Sequence, residues 1–398
     1  MYKLAVSALS FAAIMGTSVP YNVLAEEVDS YVEISSLQTS SQTKEGIWGT
    51  CKWEIRDGVL TIHGGEGLGS ANKVFYRYPW SDYGDVIDSI IIDGDIIFKD
   101  SDVRGIFSSL GNVRDITGLS HLKFTVAGTN ISEMFQSDYK LISIGSDMFD
   151  WSNVQIADSV FQYCNYLQSV DLRGINAENL KSINDMFCDD DRLEYVNLQG
   201  LDLSRVTSMS AIFNRCGNLK EVNLKDVKTD GKLKDFGNAF NACKSLGYID
   251  LSSINLDGVK ELRYTFKDCS SLQGINWGSN MLPNVYCFYE TYMGCQTLPI
   301  VRFTDASVSV LTRAIDNCSS VKQLDLGNLH LDGSNKNDGA FNMVSLNNTK
   351  VELEYVVYPA IVMEDDVKVR FDKILLIALK DGSWKDETSG KVYTGKPT

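Results

Sequence analysis

An aromatic residue returns about every 26 positions through the middle of the chain, and no other feature limits the fold so strongly. Phenylalanine stands at Phe135, Phe161, Phe187, Phe213, Phe240 and Phe266, in steps of 26, 26, 26, 27 and 26. Tyr292 and Ile315 continue the series, and Phe107 begins it 28 residues before Phe135. Neighbouring positions keep phase with this marker. Val154, Leu180 and Val206 lie seven residues before it, and Ala157, Ile183 and Met209 four before it. Those offsets place side chains on one face of a helix, so the spacing predicts a short helix of about two turns in each period. Nine and eleven residues after the marker come the pairs Val170/Leu172, Val196/Leu198 and Val222/Leu224, an alternation that predicts a strand.

One strand and one helix per period is the unit of a leucine-rich-repeat solenoid. A single unit has too little apolar surface to fold alone, and stacking buries one continuous core. The predicted class is therefore α/β, with a parallel sheet on one side of the solenoid and short helices on the other. Eight or nine coils are expected over residues 100–332.

The flanks have other signatures. Met1–Ala25 reads as a secretory signal peptide: the apolar run Leu4–Met15 is shorter than the roughly 20 residues of a membrane span. Val23-Leu24-Ala25 then precede the acidic pair Glu26-Glu27. Residues 26–45 form a polar leader. In 46–99, alternating apolar residues flank Asp57-Gly58, a strong hairpin signal, and predict a β-rich N-terminal cap. Residues 333–398 are expected to form a C-terminal β cap and tail, with strands in Val351–Ile361 and Val367–Leu379.

Composition removes several functions. The 398 residues carry 52 acidic against 37 basic side chains, a formal charge of −15. That balance excludes a phosphate-binding groove for nucleic acid and a basic face for anionic lipid. No apolar run suggests a transmembrane span. His63, His121 and His330 are the three histidines and lie far apart. No GxSxG, HExxH, P-loop or dinucleotide fingerprint occurs. Gly64–Gly69 reads as a flexible loop, and Asp189–Asp191 as a solvated turn without the spacing of a calcium loop. No catalytic residue, metal site or cofactor is predicted.

The nine cysteines need their own account. Cys164, Cys216, Cys243, Cys269, Cys295 and Cys318 all stand three residues after the marker, and Asp190 fills that slot in the coil of Phe187. Their spacing fits no zinc motif. Export would permit disulfides, but stacked side chains point in parallel. A buried thiol filling a tight corner needs no special geometry and is the favoured reading. Cys51, Cys188 and Cys287 fall outside the slot.

Between the two inward strand residues stands one that must face outward: Asp171, Asn197, Asn223, Asp250, Asn276, Arg302 and Asp325. The adjacent row contains Tyr195, Glu221 and Tyr248. A polar solenoid face bearing tyrosines is a candidate protein-binding surface. The competing reading is an Asn/Asp ladder that satisfies its own hydrogen bonds.

The coil running from Val206-Thr207-Ser208-Met209 through Phe213, Cys216 and Leu219 to Val222-Asn223-Leu224 resembles the BspA-type leucine-rich repeats of bacterial surface proteins. Their pattern is V-T-x-M-x-x-M-F-x-x-C-x-x-L-x-x-L-D-L. The Gly49-Thr50-Cys51-Lys52-Trp53 hairpin and Pro79-Trp80-Ser81 also resemble what precedes such repeats. The resemblance covers residues 46–332 and implies a secreted or surface-displayed protein that adheres to host or bacterial surface proteins, extracellular matrix included. A glycan- or wall-binding module without catalysis is the alternative. A β-helix carbohydrate-active enzyme is a further one, opposed by the helix-period half of each coil.

Overall fold

A step of 26 residues sets each strand directly over its equivalent in the preceding coil. The computed structural model describes residues 43–70, 77–144 and 148–303, most of 307–325 and, further on, short strand segments. The expected signal peptide and most of the leader lie outside the described residues. Strands Ser169–Asp171, Tyr195–Asn197 and Glu221–Asn223 pair in parallel, with Val170 opposite Val196 and Val196 opposite Val222. Tyr248–Asp250 pairs likewise with Gly274–Asn276, and Ile300–Arg302 with Gln323–Asp325. A second line of parallel bridges joins Ile156, Ser182, Ser208, Asp235, Glu261, Cys287 and Val310, each five residues before its marker. The coils are thus a β-solenoid of about eight turns with the repeat architecture of leucine-rich-repeat proteins.

The predicted short helices are absent: no described residue is α-helical. The reason is a pair of left-handed residues in every coil from Phe107 to Ile315, two before and two after the marker. In the coil of Phe213 they are Ala211 (φ 53°) and Arg215 (φ 63°), and in that of Phe187 they are Asp185 (φ 53°) and Asp189 (φ 64°). A helix of L-residues cannot pass through such positions. Turns form instead, closed by bonds such as Cys164 N–H to the Phe161 carbonyl at 3.0 Å, with the left-handed residue third in the turn, as in type II. The remaining N–H groups leave the coil altogether. Ala157, Ser159, Phe161 and Tyr163 donate to Ser182, Asn184, Met186 and Cys188 of the next coil at 2.8–3.0 Å. Every second amide along this side therefore stitches one coil to its successor, where a helix would have bonded within itself.

The markers form a buried column. Phe107, Phe135, Phe161, Phe187, Phe213, Phe240, Phe266 and Tyr292 stack in order with centroid separations of 5.4–6.0 Å. Trp80 extends it, stacked on Phe107 at 6.1 Å and fully buried, with its indole N–H on the Ile106 carbonyl. The step from Trp80 to Phe107 is 27 residues, so the coil phase reaches back into the segment read as a cap. Parallel pairing does the same: Val59–Ile62 pairs with Ser89–Ile92, which pairs with Asp115–Thr117. Ahead of these, Cys51–Arg56 and Val59–Ile62 form the predicted antiparallel hairpin about Asp57-Gly58, and Lys44–Trp48 adds a further antiparallel strand beside Cys51–Arg56. Gly64–Gly69 differs from expectation, because Gly65–Gly67 is a strand paired with Ile96–Phe98. A Cβ on Gly67 would stand 2.7 Å from the Trp48 ring, so glycine here admits an aromatic side chain. In the C-terminal segment, Lys368–Phe371, Ile374–Ala378, Trp384–Asp386 and Val392–Tyr393 make an antiparallel sheet.

All nine cysteines are buried and free. In the repeated slot, Cys164, Cys216, Cys243, Cys269 and Cys295 each donate the thiol to the marker carbonyl of the preceding coil, at 2.8–3.1 Å. Cys318 does so to Tyr292. Burial pushes these thiols up, Cys318 to about 12, which keeps them protonated as donors. Titration of the denatured, unreduced protein should therefore find nine free thiols per chain, and a value near zero would refute the thiol lane. The left-handed slots make a second prediction. Ala242 (φ 60°) carries a Cβ where glycine is favoured, so Ala242→Gly should raise stability by about 1 kcal/mol in urea unfolding.

Candidate binding face

The outward row lies in register as expected. Asp171, Asn197 and Asn223 are successive partners, as are Asp250 with Asn276 and Arg302 with Asp325. What these side chains do decides their function. Asp171 accepts the N–H of Arg173 at 3.0 Å, Asn197 that of Gln199 at 3.1 Å, and Asn223 that of Lys225 at 3.1 Å. Asp250 accepts from Ser252 at 2.9 Å and Asn276 from Gly278 at 3.0 Å. Each is an Asx turn that ends its strand and starts the corner. Lateral bonds join the row too: the Asn276 amide donates to Asp250 at 3.0 Å, and Asn197 is almost fully buried. The ladder thus serves the backbone first.

Hydrogen bonding and the Arg173 guanidinium hold the Asp171 carboxyl below the usual range. Asp250 is also lowered: burial pushes it up, but the bonds from Ser252 and Asn276 outweigh that. Both carboxylates contribute stability above the ordinary carboxyl range that is lost as pH falls through their folded values.

The residue two places earlier on each strand has no turn to hold. This row reads Ser169, Tyr195, Glu221, Tyr248, Gly274 and Ile300. Tyr248 is 55% exposed and Ile300 51%. Tyr195 and Glu221 stand side by side across the parallel pair. The Tyr248 ring edge lies over Gly274, where a Cβ would approach it to 3.3 Å. Of the tyrosines singled out in the sequence, Tyr248 projects most; Ile300, at the same coil position, was missed because an aliphatic residue carries no binding signature of its own.

Between Ser169 and Asp325 the sheet is interrupted twice among the described residues. Glu221–Asn223 does not pair with Tyr248–Asp250, nor Gly274–Asn276 with Ile300–Arg302. The first break follows the single 27-residue step between the phenylalanine markers. At the second, Pro299 occupies the position from which Gln273 donates its N–H to Gly247, and proline has no N–H to give. Tyr292 compensates there. Its hydroxyl donates to the Arg302 carbonyl at 2.9 Å, equivalent to the Asn197 carbonyl that accepts from Leu172. A hollow opens at each break. The first, ≈ 500 Å³, is lined by Lys220, Glu221, Lys225, Tyr248 and Asp250. The second, ≈ 280 Å³, is lined by Asn276, Trp277, Pro299, Ile300 and Arg302.

Elsewhere, His63 and His121 are held by Asp93 and Asp95 at 2.8 and 2.7 Å. Among the described residues, no group of three or more His, Cys, Asp or Glu is placed to hold a metal, and no helix is long and apolar enough to cross a membrane. The Asp189–Asp191 turn is not wholly solvated: Asp190 is fully buried.

A family model described as "Mycoplasma protein of unknown function, DUF285" matches residues 124–221 and 191–298, within the coils. That match agrees with the BspA-type resemblance of the repeats. No curated protein matches the chain. A leucine-rich repeat protein of Eubacterium ventriosum is 17% identical, with 72% of this chain and 85% of that chain covered and a TM-score of 0.32. A leucine rich cell surface protein of Faecalibacterium prausnitzii is 15% identical, with 77% and 98% covered and a TM-score of 0.30. An internalin of Listeria monocytogenes is 12% identical, with 77% and 90% covered and a TM-score of 0.25.

The Asx turns yield a paired prediction. Asp250→Ala should cost about 1 kcal/mol, because it strips the acceptor from the Ser252 N–H. Asp250→Asn, which keeps an acceptor oxygen, should unfold near the parental urea midpoint. Equal losses in both variants would show that the charge matters and the turn does not.

Proposed function

We propose that this chain is an exported bacterial cell-surface protein that binds other proteins through the outward sheet face of its solenoid, and by that binding mediates adhesion. The carrying observation is the row of first-position strand residues, Tyr195, Glu221, Tyr248 and Ile300, which projects beside an Asx ladder already committed to the backbone. Tyrosines and aliphatic side chains fixed on a hydrogen-bonded sheet contribute contact area at little entropic cost. Met1–Ala25 supports export, and the partners in view are host or bacterial surface proteins, matrix proteins among them.

The same geometry weighs against glycoside hydrolysis. That chemistry needs a proton-bearing acid about 5–10 Å from a second carboxylate. Asp171 and Asp250 lie three rungs apart, at least ~14 Å at the spacing of paired strands, and both are shifted toward the ionised form. A glycan-binding reading draws on one observation: Tyr248 presents its ring beside Asp250 and Lys225 at the larger hollow, an arrangement that can hold a sugar ring.

The test is capture by the mature chain, with host matrix proteins and bacterial walls as separate baits. Tyr195→Ala with Tyr248→Ala should weaken capture at least ~10-fold, as expected for removal of aromatic anchors, and leave the melting curve unchanged. Asp250→Asn should bind normally. Undiminished capture by the double variant would move the binding surface off this face, and competition by soluble wall glycan would favour the sugar reading.

A further inference from the structure

Three coils lack the cysteine of the thiol lane: Leu110 fills the slot in the first, after Phe107, and the other two put an aspartate there. Asp138 follows Phe135 by three residues and Asp190 follows Phe187 by three. Both are fully buried. Each uses one carboxyl oxygen in the same way: Asp138 Oδ1 accepts the N–H of Leu110 at 2.8 Å, and Asp190 Oδ1 that of Cys164 at 2.7 Å. Those donors occupy the same slot one coil earlier. In both residues Oδ2 is buried with no hydrogen-bond partner.

An ionised carboxylate in this position would be untenable. The groups acting on Asp190 are Asp189 and Asp191 on its own coil, both of like charge. Cys164 precedes it and Cys216 follows it, and a negative charge on Asp190 would push both thiols up. Asp138 faces the Leu110 amide on one side and Cys164 on the other. No cation pairs with either acid among the described residues. The neighbouring coils show what the slot requires, since every cysteine there gives a proton to the marker carbonyl of the preceding coil. A carboxylic acid supplies that proton; a carboxylate cannot.

We propose that Asp138 and Asp190 fold as neutral carboxylic acids, each donating its Oδ2–H into the carbonyl lane served elsewhere by cysteine thiols, so that the solenoid contains two proton-dependent joints. The accepting carbonyl for Asp190 is that of Phe161, whose other bond comes from the Cys164 N–H; for Asp138 it is that of Phe107. Burial, the leading influence on both acids, acts in the same direction. The sign follows from linkage. The folded chain holds two protons that the unfolded chain releases above the ordinary carboxyl range. Stability is therefore fully present in acid and declines as pH rises, by ~10-fold in the folding constant per pH unit for each acid, until the folded values are passed.

Carboxyl-carbon NMR of the aspartate-labelled full chain tests this without altering it. Two aspartate signals should keep the protonated shift at neutral pH, while exposed aspartates such as Asp171 show the ionised shift. Ionisation of every aspartate at neutral pH overturns the proposal. Asp138→Asn and Asp190→Asn identify the two signals by their disappearance; persistence of both signals in the two variants also overturns it. Restoring thiols with Asp138→Cys and Asp190→Cys gives an independent measure. The ratio of wild-type to variant folding constants should fall ~100-fold per pH unit through the neutral range, and a ratio independent of pH refutes the joints.

Discussion

On its turn side every coil hands alternate amide hydrogens forward to the next coil, and the rest of the architecture depends on that transfer. Along the turn side, Ala157, Ser159, Phe161 and Tyr163 all donate across the stack. For alternate N–H groups to point the same way, the chain must re-enter the left-handed region on both sides of the marker. It does so even with tyrosine, aspartate or arginine at those positions. The conformational cost is roughly 1–2 kcal/mol for each such residue. The stacked ring column and the apolar lines around it offset that cost, aromatic pairs adding ~0.5–1.5 kcal/mol each beyond simple burial. Stability is thus shared between neighbours, and no coil is a folding unit by itself.

That dependence explains why deviations appear as compensated pairs. Pro299 removes an amide from the strand ladder, and Tyr292, two steps along the column from Phe240, brings a hydroxyl to the Arg302 carbonyl in the disturbed region. A phenylalanine would fill the same volume and leave that carbonyl without the bond. Likewise, from the coil of Phe135 onward, the slot three residues after the marker holds cysteine or aspartic acid, two side chains of similar size that can each give one proton. The repeat conserves hydrogen-bond direction more strictly than residue type.

The same logic marks what the sequence could disclose. Inward positions at −7, −4 and 0 are common to an α-helix and to a coil of successive turns, so the period located the buried face correctly and misassigned the backbone. The left-handed residues that distinguish the two carry little compositional signal, since only Gly105 and Gly294 among them are glycines. The strand half was legible because Val170/Leu172 and its equivalents alternate cleanly and pair as read. Trp80 was missed as a marker because a tryptophan broke the identity of the series, although its 27-residue step keeps phase. At the candidate face, the Asn/Asp row was visible and in register. Its commitment to Asx turns was not, because the same residues in the same row serve a ligand or a backbone N–H depending on a corner whose path the sequence leaves open.

Absence of the helices also removes one physical distinction between two kinds of solenoid. A β-helix enzyme and a leucine-rich-repeat binder could be told apart by helix content only while the turn side was read as helical. With sheet bridges on two sides of the coil, that distinction disappears, and the chemistry of the outward residues has to carry the weight. Here it is unambiguous about two carboxylates. Asp171 is bound by Arg173 and its amide, and Asp250 by the Ser252 amide and Asn276. Each is held as an anion in a structural bond, and an anion so held is a poor proton donor. Of the described acids with raised proton affinity, Asp138 and Asp190 are sealed inside the stack, and Glu133 and Asp185, raised by partial burial, lie on the turn side away from the sheet face. Asp171 and Asp250, fixed as anions on the sheet face, supply no general acid there, which favours the proposed binding surface with Tyr248 exposed on it.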